Sequence, residues 1–255
     1  MKRLAWGMLL LGLLLAGCLP APPPPALPTA TTTFTPVATP TVQWFPPTST
    51  PTPLPPTLAP TPTPNLQADV GASLLTAPFA SAAHWRSPTG YAGRFGVADG
   101  VLSLTVTRRR GVMLVLWREP LAADLYLTVQ AEPQICRGGD AYGVVVRATA
   151  NGGRYYRFGL TCEGQAFVES VEGGLPIPQA TPQPGGVPAG APVRSVLSVR
   201  AAGKRLYFAV NGAVLFAVDD PYPRYGRDYI GLFARAAGEE GVIVAFRRLE
   251  AYRLP

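Results

Sequence analysis

The chain has 255 residues, of which 15% are charged, and its formal net charge is +7 at pH 7. The longest run of like charge is Arg108-Arg109-Arg110, which is shorter than the basic blocks typical of nucleic-acid binding, so no nucleic-acid partner is expected. With one histidine and three widely spaced cysteines, the sequence offers no cluster of metal ligands, and neither a metal nor a cofactor is expected.

The N-terminus has the plan of a secretory signal peptide. Residues 2 and 3 are basic, residues 4–15 are apolar, and small residues lead into a cysteine in Leu15-Ala16-Gly17-Cys18. This run resembles the lipobox of bacterial lipoproteins, which implies that residues 1–17 are a lipoprotein signal peptide and that Cys18 is acylated. The protein would then be anchored to the cell membrane by its lipid, facing the exterior or the periplasm. The alternative is a transmembrane anchor, but the apolar run is well short of the about 20 residues that span a bilayer.

Residues 18–68 are expected to form the lipidated cysteine and a disordered Pro/Thr-rich linker. No charged residue occurs in residues 19–66, where proline and threonine dominate. Proline fixes φ and removes a backbone donor, so this stretch favours extended polyproline II over a packed fold. At about 3.1 Å per residue, such a linker would reach roughly 150 Å, enough to hold a domain clear of the membrane.

Residues 69–255 are expected to form one all-β domain. Short segments rich in Val, Tyr, Phe and Leu alternate with turn residues, which is typical of a sandwich or barrel. Asn211-Gly212, between two apolar runs, is the strongest hairpin signal. The predicted strands are residues 101–107, 112–117, 124–131, 141–148, 155–162, 166–171, 194–201, 205–210, 214–218, 230–235 and 242–252.

One segment, residues 173–192, breaks this rhythm. It holds six prolines and five glycines, so a regular strand is not expected there. A loop of this length inside a domain is either functional or disordered. Because the segment lacks bulky aromatic and charged side chains for a ligand, we expect a mobile insertion between two strands.

The remaining cysteines form an even pair once Cys18 is lipidated. In an oxidising compartment, Cys136 and Cys162 are expected to form one disulfide. Cys136 precedes one predicted central strand and Cys162 ends its hairpin partner, so a loop returning along the sheet would bring them together. The alternative is two free buried thiols.

Three stretches resemble a known superfamily. The run Leu74-Leu75-Thr76-Ala77-Pro78-Phe79, followed by Trp85, is similar to the entry strand of bacterial laminin-G-like domains, although an acidic residue often precedes the phenylalanine there. Asp99-Gly100-Val101-Leu102-Ser103-Leu104 is similar to the next turn and strand. Tyr142-Gly143-Val144-Val145-Val146-Arg147 with Tyr155-Tyr156-Arg157-Phe158 is similar to the central hairpin. The domain thus resembles the concanavalin A-like lectin/glucanase superfamily, which implies a two-sheet antiparallel jelly-roll β-sandwich.

A fold of this kind does not by itself decide between binding and catalysis. Glucanases need two carboxylates on one face, roughly 5–5.5 Å apart in retaining enzymes. No Glu-x-Asp-x-Glu spacing occurs, and adjacent acids such as Asp219-Asp220 would point to opposite faces of a strand. We therefore expect a non-catalytic binding domain, with carbohydrate as its first-choice ligand. The alternatives are a glycan-active hydrolase and a structural or sensory protein-interaction domain.

The hairpin around Asn151-Gly152-Gly153 supplies the candidate ligand-binding residues. A three-residue loop there would place Arg147 opposite Arg157, with Tyr155 on the same outer face. Tyr156 would then point into the core. A two-residue turn would reverse this parity and separate the cluster.

Arg147, Tyr155 and Arg157 therefore form the predicted site for a glycan or cell-wall polymer. Arginine donates a planar fork of hydrogen bonds and tyrosine stacks, so both suit sugar recognition. Two opposed arginines repel each other, so a nearby acid such as Glu169, solvent or a ligand should compensate. The alternative to a binding site is a solvated sheet face.

Overall fold

The computed structural model describes residues 64–88, 92–222, 227–238 and 241–255. These residues form sixteen β-strands and one short 3-10 helix, Ala82–His84, which confirms the predicted all-β class. No helix among them is long and apolar enough to cross a membrane. The predicted signal peptide, Cys18 and the linker up to residue 63 lie outside the described residues.

The strands, numbered in chain order, form two antiparallel sheets, one of which we call the front sheet. Its strands are β1 (Trp85–Arg86), β4 (Val112–Trp117), β5 (Leu121–Ala122), β7 (Ala141–Ala148), β8 (Arg154–Thr161), β9 (Gln165–Glu172), β10 (Leu175–Pro178), β11 (Gln183–Pro184) and β15 (Arg227–Arg235). They follow the order β1-β4-β15-β7-β8-β9-β10, while β5 pairs with β15 and β11 pairs with β9.

The second sheet, the back sheet, packs against the front sheet. Its strands are β2 (Gly93–Ala98), β3 (Val101–Val106), β6 (Leu125–Ile135), β12 (Ser195–Ala202), β13 (Arg205–Val210), β14 (Ala213–Asp219) and β16 (Val242–Arg253). They follow the order β14-β13-β12-β6-β16-β3-β2. The two sheets together make the predicted jelly-roll β-sandwich.

The core between the sheets is built from residues that alternate along the strands. In β3, Leu102, Leu104 and Val106 are fully buried, whereas the residues between them are half-buried. They belong to one cluster with front-sheet side chains such as Val144 and Phe158. A period of two is what a pleated strand requires when one of its faces packs against the core.

Two tight turns depend on positive φ angles. Asn211 (φ 49°) and Gly212 (φ 84°) join β13 to β14, which confirms the predicted hairpin. Asp99 (φ 53°) and Gly100 (φ 71°) join β2 to β3 in the same way. Asn, Asp and Gly tolerate this left-handed conformation, and the resulting turn matches the twist of the flanking strands.

The predicted disulfide is present. Cys136 and Cys162 are bonded, with their Cα atoms 5.6 Å apart. Cys136 directly follows β6 of the back sheet and Cys162 directly follows β8 of the front sheet, so the bond joins the two sheets. The N–H of Cys162 also donates to the carbonyl of Asp140 at 2.9 Å, which ties the end of β8 to the start of β7.

The segment 173–192 differs from the expected irregular insertion. It contains β10 and β11, both of which pair with β9 and extend the front sheet. Pro176 lies opposite Val171 and Pro178 opposite Glu169. Proline cannot donate to a ladder, but it is tolerated on a strand whose outer edge has no neighbour. The edge position of β10 therefore explains how a proline-rich stretch joins the sheet.

The packed part of the chain begins earlier than the boundary expected at Asp69. Leu66 is buried against Tyr126 on the outer face of the back sheet. A guanidinium nitrogen of Arg200 donates to the carbonyls of Leu66 and Ala68, at 3.0 and 2.5 Å. The last residues of the predicted linker are thus attached to the back sheet.

Residues 74–79, which resemble an entry strand, are irregular instead and end in a turn at Pro78 and Phe79. Only an isolated bridge between Ser73 and Tyr252 connects this part of the described chain to the back-sheet ladder. Phe79 and Trp85 are nevertheless buried, with ring centroids 5.7 Å apart. Aromatic packing therefore holds the opening segment in place together with the short pairing of β1 with β4 and a few backbone hydrogen bonds to β16.

The β7–β8 hairpin has a different register from the predicted one. Arg157 pairs with Val145 and not with Arg147. Arg147 has φ 56°, and the pairing of β7 with β15 shifts between Gly231 and Tyr229, so Arg147 occupies a β-bulge. The extra residue turns the Arg147 side chain away from Arg157.

Arg147 is instead buried between the sheets, with 1% of its side chain exposed. Its Nη2 atom lies 3.2 Å from Asp124 Oδ1 and donates to the carbonyl of Gly203 at 2.8 Å. Its Nη1 atom lies 3.5 Å from Asp228 Oδ2. Asp124 and Gly203 adjoin back-sheet strands, so this arginine links the two sheets. A buried guanidinium is tolerated because carboxylates and a carbonyl surround it.

Removing the disulfide should destabilise the domain. For a sequence separation of 26 residues, the chain-entropy model gives a loss of about 3–4 kcal/mol. The double variant Cys136→Ala/Cys162→Ala should unfold at a lower urea concentration than the oxidised wild type. Wild-type protein treated with a reductant should unfold at nearly the same urea concentration as the variant. Equal midpoints for oxidised and reduced wild type would contradict a stabilising role.

Arg147→Met should lower the free energy of unfolding by about 3 kcal/mol, because it removes the cation from between two carboxylates in a buried position. Urea titration followed by tryptophan fluorescence measures this loss. The matched control is Arg94→Met on β2, where the side chain is exposed and a change within about 0.5 kcal/mol is expected. Equal stability of the two variants would show that the Arg147 network does not hold the sheets together.

Candidate functional site

The outer face of the front sheet, which we call the front face, carries two of the predicted ligand-binding side chains. Along β8, Tyr156 and Phe158 belong to the core between the sheets, so Tyr155 and Arg157 point the other way. The predicted parity of this strand is confirmed. The front face is not a solvated surface, however, because Tyr155 is 5% exposed and Arg157 is 4% exposed.

Two glycines form the base of the front face, where Gly143 on β7 pairs with Gly159 on β8. A Cβ atom added to Gly159 would lie 2.7 Å from Cζ of Phe233 and 3.0 Å from Cζ of Phe167, which is closer than such atoms pack. The missing side chain lets both rings lie over the sheet, with centroids 6.2 Å apart in an edge-to-face arrangement. We call this ring pair the aromatic floor.

Arg157 and Glu169 form an ion pair across β8 and β9. The two residues are directly opposite in register, and Nε and Nη2 of Arg157 each lie 2.6 Å from Oε2 of Glu169. The guanidinium carbon of Arg157 is also 5.6 Å from the ring centroid of Phe233. Glu169, one of the compensating groups considered from the sequence, therefore balances Arg157.

A second guanidinium, that of Arg235 at the end of β15, lies on the same face. Its central carbon is 5.2 Å from the ring centroid of Phe167, so each ring of the aromatic floor carries one arginine. Burial lowers the pKa of Arg235 and the positive charge of Arg157 lowers it further, while Glu169 and Asp140 raise it. Among the described residues, no carboxylate lies within ion-pair distance of Arg235.

Tyrosines border the aromatic floor. Burial raises the pKa of the Tyr155 phenol, the charge of Arg157 opposes that shift, and Glu169 adds to it. Tyr229 on β15 is half-buried, and the guanidinium carbon of Arg86 lies 4.9 Å from its ring centroid. Since Tyr155 is 5% exposed, the half-buried Tyr229 is the more accessible of these two phenols for hydrogen bonding to a ligand.

Of the three predicted ligand-binding residues, Tyr155 and Arg157 lie together on the front face and Arg147 does not. Three further side chains of this face, Phe167, Phe233 and Arg235, are not among the predicted residues. The rule of alternating side chains places Phe167 and Glu169 on one face of β9, so that strand was predictable. Nothing in the sequence shows that β15 lies beside β7. Because β15 carries Phe233 and Arg235, these two residues could not be predicted as part of the face.

The chemistry available on the front face is hydrogen bonding, stacking and ion pairing. Its described strand residues carry three guanidiniums, from Arg86, Arg157 and Arg235, and one carboxylate, from Glu169. The part of the chain that the structure describes has no group of three or more His, Cys, Asp or Glu side chains that could hold a metal ion.

A cleft lies beside the β2–β3 turn. This cleft of about 390 Å³ is lined mainly by apolar groups, including Phe79, Val97 and Leu249, with Asp99 and Arg248 among its polar residues. Ligand sites combine apolar walls with several convergent polar groups. The front face carries more charged side chains than this cleft, namely Arg86, Arg157, Glu169 and Arg235, so we take it as the candidate site.

No protein-family model and no curated protein matches this chain. Solved structures do match it. The carbohydrate-binding module CBM66 from Bacillus subtilis superposes with a TM-score of 0.52 at 13% sequence identity, covering 66% of this chain and 95% of that one. A Bacillus subtilis protein of unknown function with a galectin-like fold gives a TM-score of 0.55 at 14% identity, covering 72% and 97%. At these identities the likeness shows the fold, a galectin-like jelly-roll sandwich.

Proposed function

We propose that this protein is held at the cell membrane by a lipid on Cys18 and displays a β-sandwich that binds carbohydrate on its front face. The observation that carries the proposal is the aromatic floor with one guanidinium over each ring, Arg157 over Phe233 and Arg235 over Phe167. Sugars present apolar C–H faces and hydroxyl edges. Guanidinium and phenol groups bond to the hydroxyl edges, while the two rings of the aromatic floor, which are themselves buried, hold the guanidiniums in place.

The fold supports the proposal at the level of architecture. One solved structure with this fold is a carbohydrate-binding module. Because one fold hosts many functions, carbohydrate binding is inferred from the side chains of the front face.

Binding fits the front face better than hydrolysis. A glycosidase uses two carboxyl groups, roughly 5–9.5 Å apart according to its mechanism. On the described strands, Glu169 is the one carboxylate of the front face, and its Oε2 atom is 2.6 Å from Arg157. The ion pair commits this carboxylate to an arginine, and no second acid faces it from these strands.

The way the chain joins the domain suits display. Leu66 and Ala68 are attached to the outer face of the back sheet through Arg200. The front face lies on the opposite side of the sandwich. A membrane-anchored linker that joins the domain at the back sheet would leave the front face directed away from the point where the linker is attached.

Tyr155→Phe should weaken glycan binding about threefold to tenfold, because it removes one hydroxyl while keeping the packing of the ring. A glycan array with the full chain in detergent selects the glycan, and titration calorimetry then gives the affinity. The adjacent Tyr156 is the matched control, since its hydroxyl donates to Asp220 in the core at 3.2 Å. Tyr156→Phe should lower stability and leave the affinity unchanged. Equal losses of affinity in both variants would place the site elsewhere.

Cys18→Ala should leave uncleaved or mislocalised precursor, because the acyl acceptor would be missing. Metabolic labelling with a fatty acid and membrane fractionation measure both effects. Release of a normally processed variant without detergent, or labelling that persists after the substitution, would contradict anchoring through this cysteine.

A further inference from the structure

We infer that the front-face ligand is an anionic glycan, whose carboxylate, sulfate or phosphate group binds at Arg235, the half-buried guanidinium on the same face as the buried Arg157. This inference rests on the proposed carbohydrate-binding function and names the ligand class. The shared chemistry is an oxyanion carried by a sugar.

The charge of the front face favours an anionic ligand. Arg157 and Arg235 are close enough for the charge of one to lower the pKa of the other. Glu169 lies within ion-pair distance of Arg157 only, so one guanidinium of the pair has no carboxylate within ion-pair distance among the described residues. Asp140 also acts on Arg235 at a distance, but its own oxygens accept from the N–H groups of Arg137 and Ala237.

The half-buried position of Arg235 also favours an anionic ligand. The residue is half-buried, unlike exposed arginines such as Arg94, so water solvates its charge only in part. Holding a guanidinium that has no ion-pair partner among the described residues in such a place costs free energy. An oxyanion would offset that cost with charge-assisted hydrogen bonds, which are stronger than those to a neutral hydroxyl.

The surroundings of Arg235 suit a planar oxyanion. The guanidinium of Arg235 is held over Phe167, and the residue beside it across the ladder is the small Ala141. Thr161 follows on β8, opposite Ala141. A planar guanidinium beside a small residue can present its donors to a carboxylate or phosphate in a bidentate manner, which a lysine could not do.

The test uses the full chain in detergent and two matched pairs of polymers. Polygalacturonate is compared with its methyl-esterified form, and dextran sulfate is compared with dextran. Each pair keeps the backbone and changes the charge, and the two pairs distinguish a carboxylate from a sulfate ester. At low salt, calorimetric titration should show at least one anionic polymer binding about tenfold or more tightly than its neutral partner, with the difference falling as salt is added.

Three variants locate the effect. Arg235→Gln should remove most of the preference for the anionic polymer. Arg94→Gln removes the same charge from an exposed position on the back sheet and should change the affinity less than twofold. Glu169→Gln should act in the opposite direction and tighten anionic binding, because it removes the carboxylate that is paired with Arg157 and that also attracts Arg235.

A readout without glycan uses sulfate ions. A ligand that binds the folded state raises the melting temperature, so sulfate should stabilise wild type more than Arg235→Gln. Without sulfate, Arg235→Gln should melt at the same temperature as wild type or higher. The variant loses a partly buried charge that has no ion-pair partner among the described residues.

The outcomes separate this inference from the proposed function. Equal affinity for both members of each pair, still weakened by Tyr155→Phe, would overturn the anionic ligand and leave carbohydrate binding in place. Equal losses in Arg235→Gln and Arg94→Gln would also overturn the inference, since overall charge would then explain the binding. No binding to any of the four polymers, together with identical sulfate shifts in wild type and Arg235→Gln, would overturn both.

Discussion

Packed side chains cover both faces of the front sheet, and this double burial governs what its strands can carry. Every residue of β7 is buried, although antiparallel strands usually keep one solvated face. A fully buried charged side chain on such a sheet needs a partner of opposite charge. Arg157 has Glu169, and Arg147 has Asp124 with Asp228. Polar groups therefore occur here in fixed geometries and not as a solvated fringe.

The bulge at Arg147 divides β7 between two tasks. Before it, Gly143 and Val145 line the base of the front face, with their neighbours turned into the core. At the bulge, β7 has one residue more than β15, and the Arg147 side chain turns toward the back sheet, where it forms an ion pair with Asp124. One irregular residue thus lets a single strand shape the candidate site and fasten the sandwich.

Alternation and turn chemistry account for what could be predicted from the sequence. The predicted strands 112–117, 141–148 and 205–210 coincide with β4, β7 and β13, and the disulfide followed from counting cysteines. The register at Arg147 could not be predicted, because an arginine with positive φ has no sequence signature and depends on packing against the other sheet. Strands β10 and β11 were missed because proline is excluded from ladders except at an edge, and edges are defined only by the fold. Arg235 was missed because strand order is not written in local patterns.

The attachment of Leu66 and Ala68 to the back sheet has a mechanical consequence. A pull on the preceding chain acts first on Leu66 and on the two hydrogen bonds from Arg200, before it reaches any strand. Tension between this point and a polymer held on the front face would cross the full thickness of the sandwich. The disulfide and Arg147 both connect the sheets along that direction. The same cross-links that stabilise the resting fold are therefore the ones that would resist separation of its two layers under load.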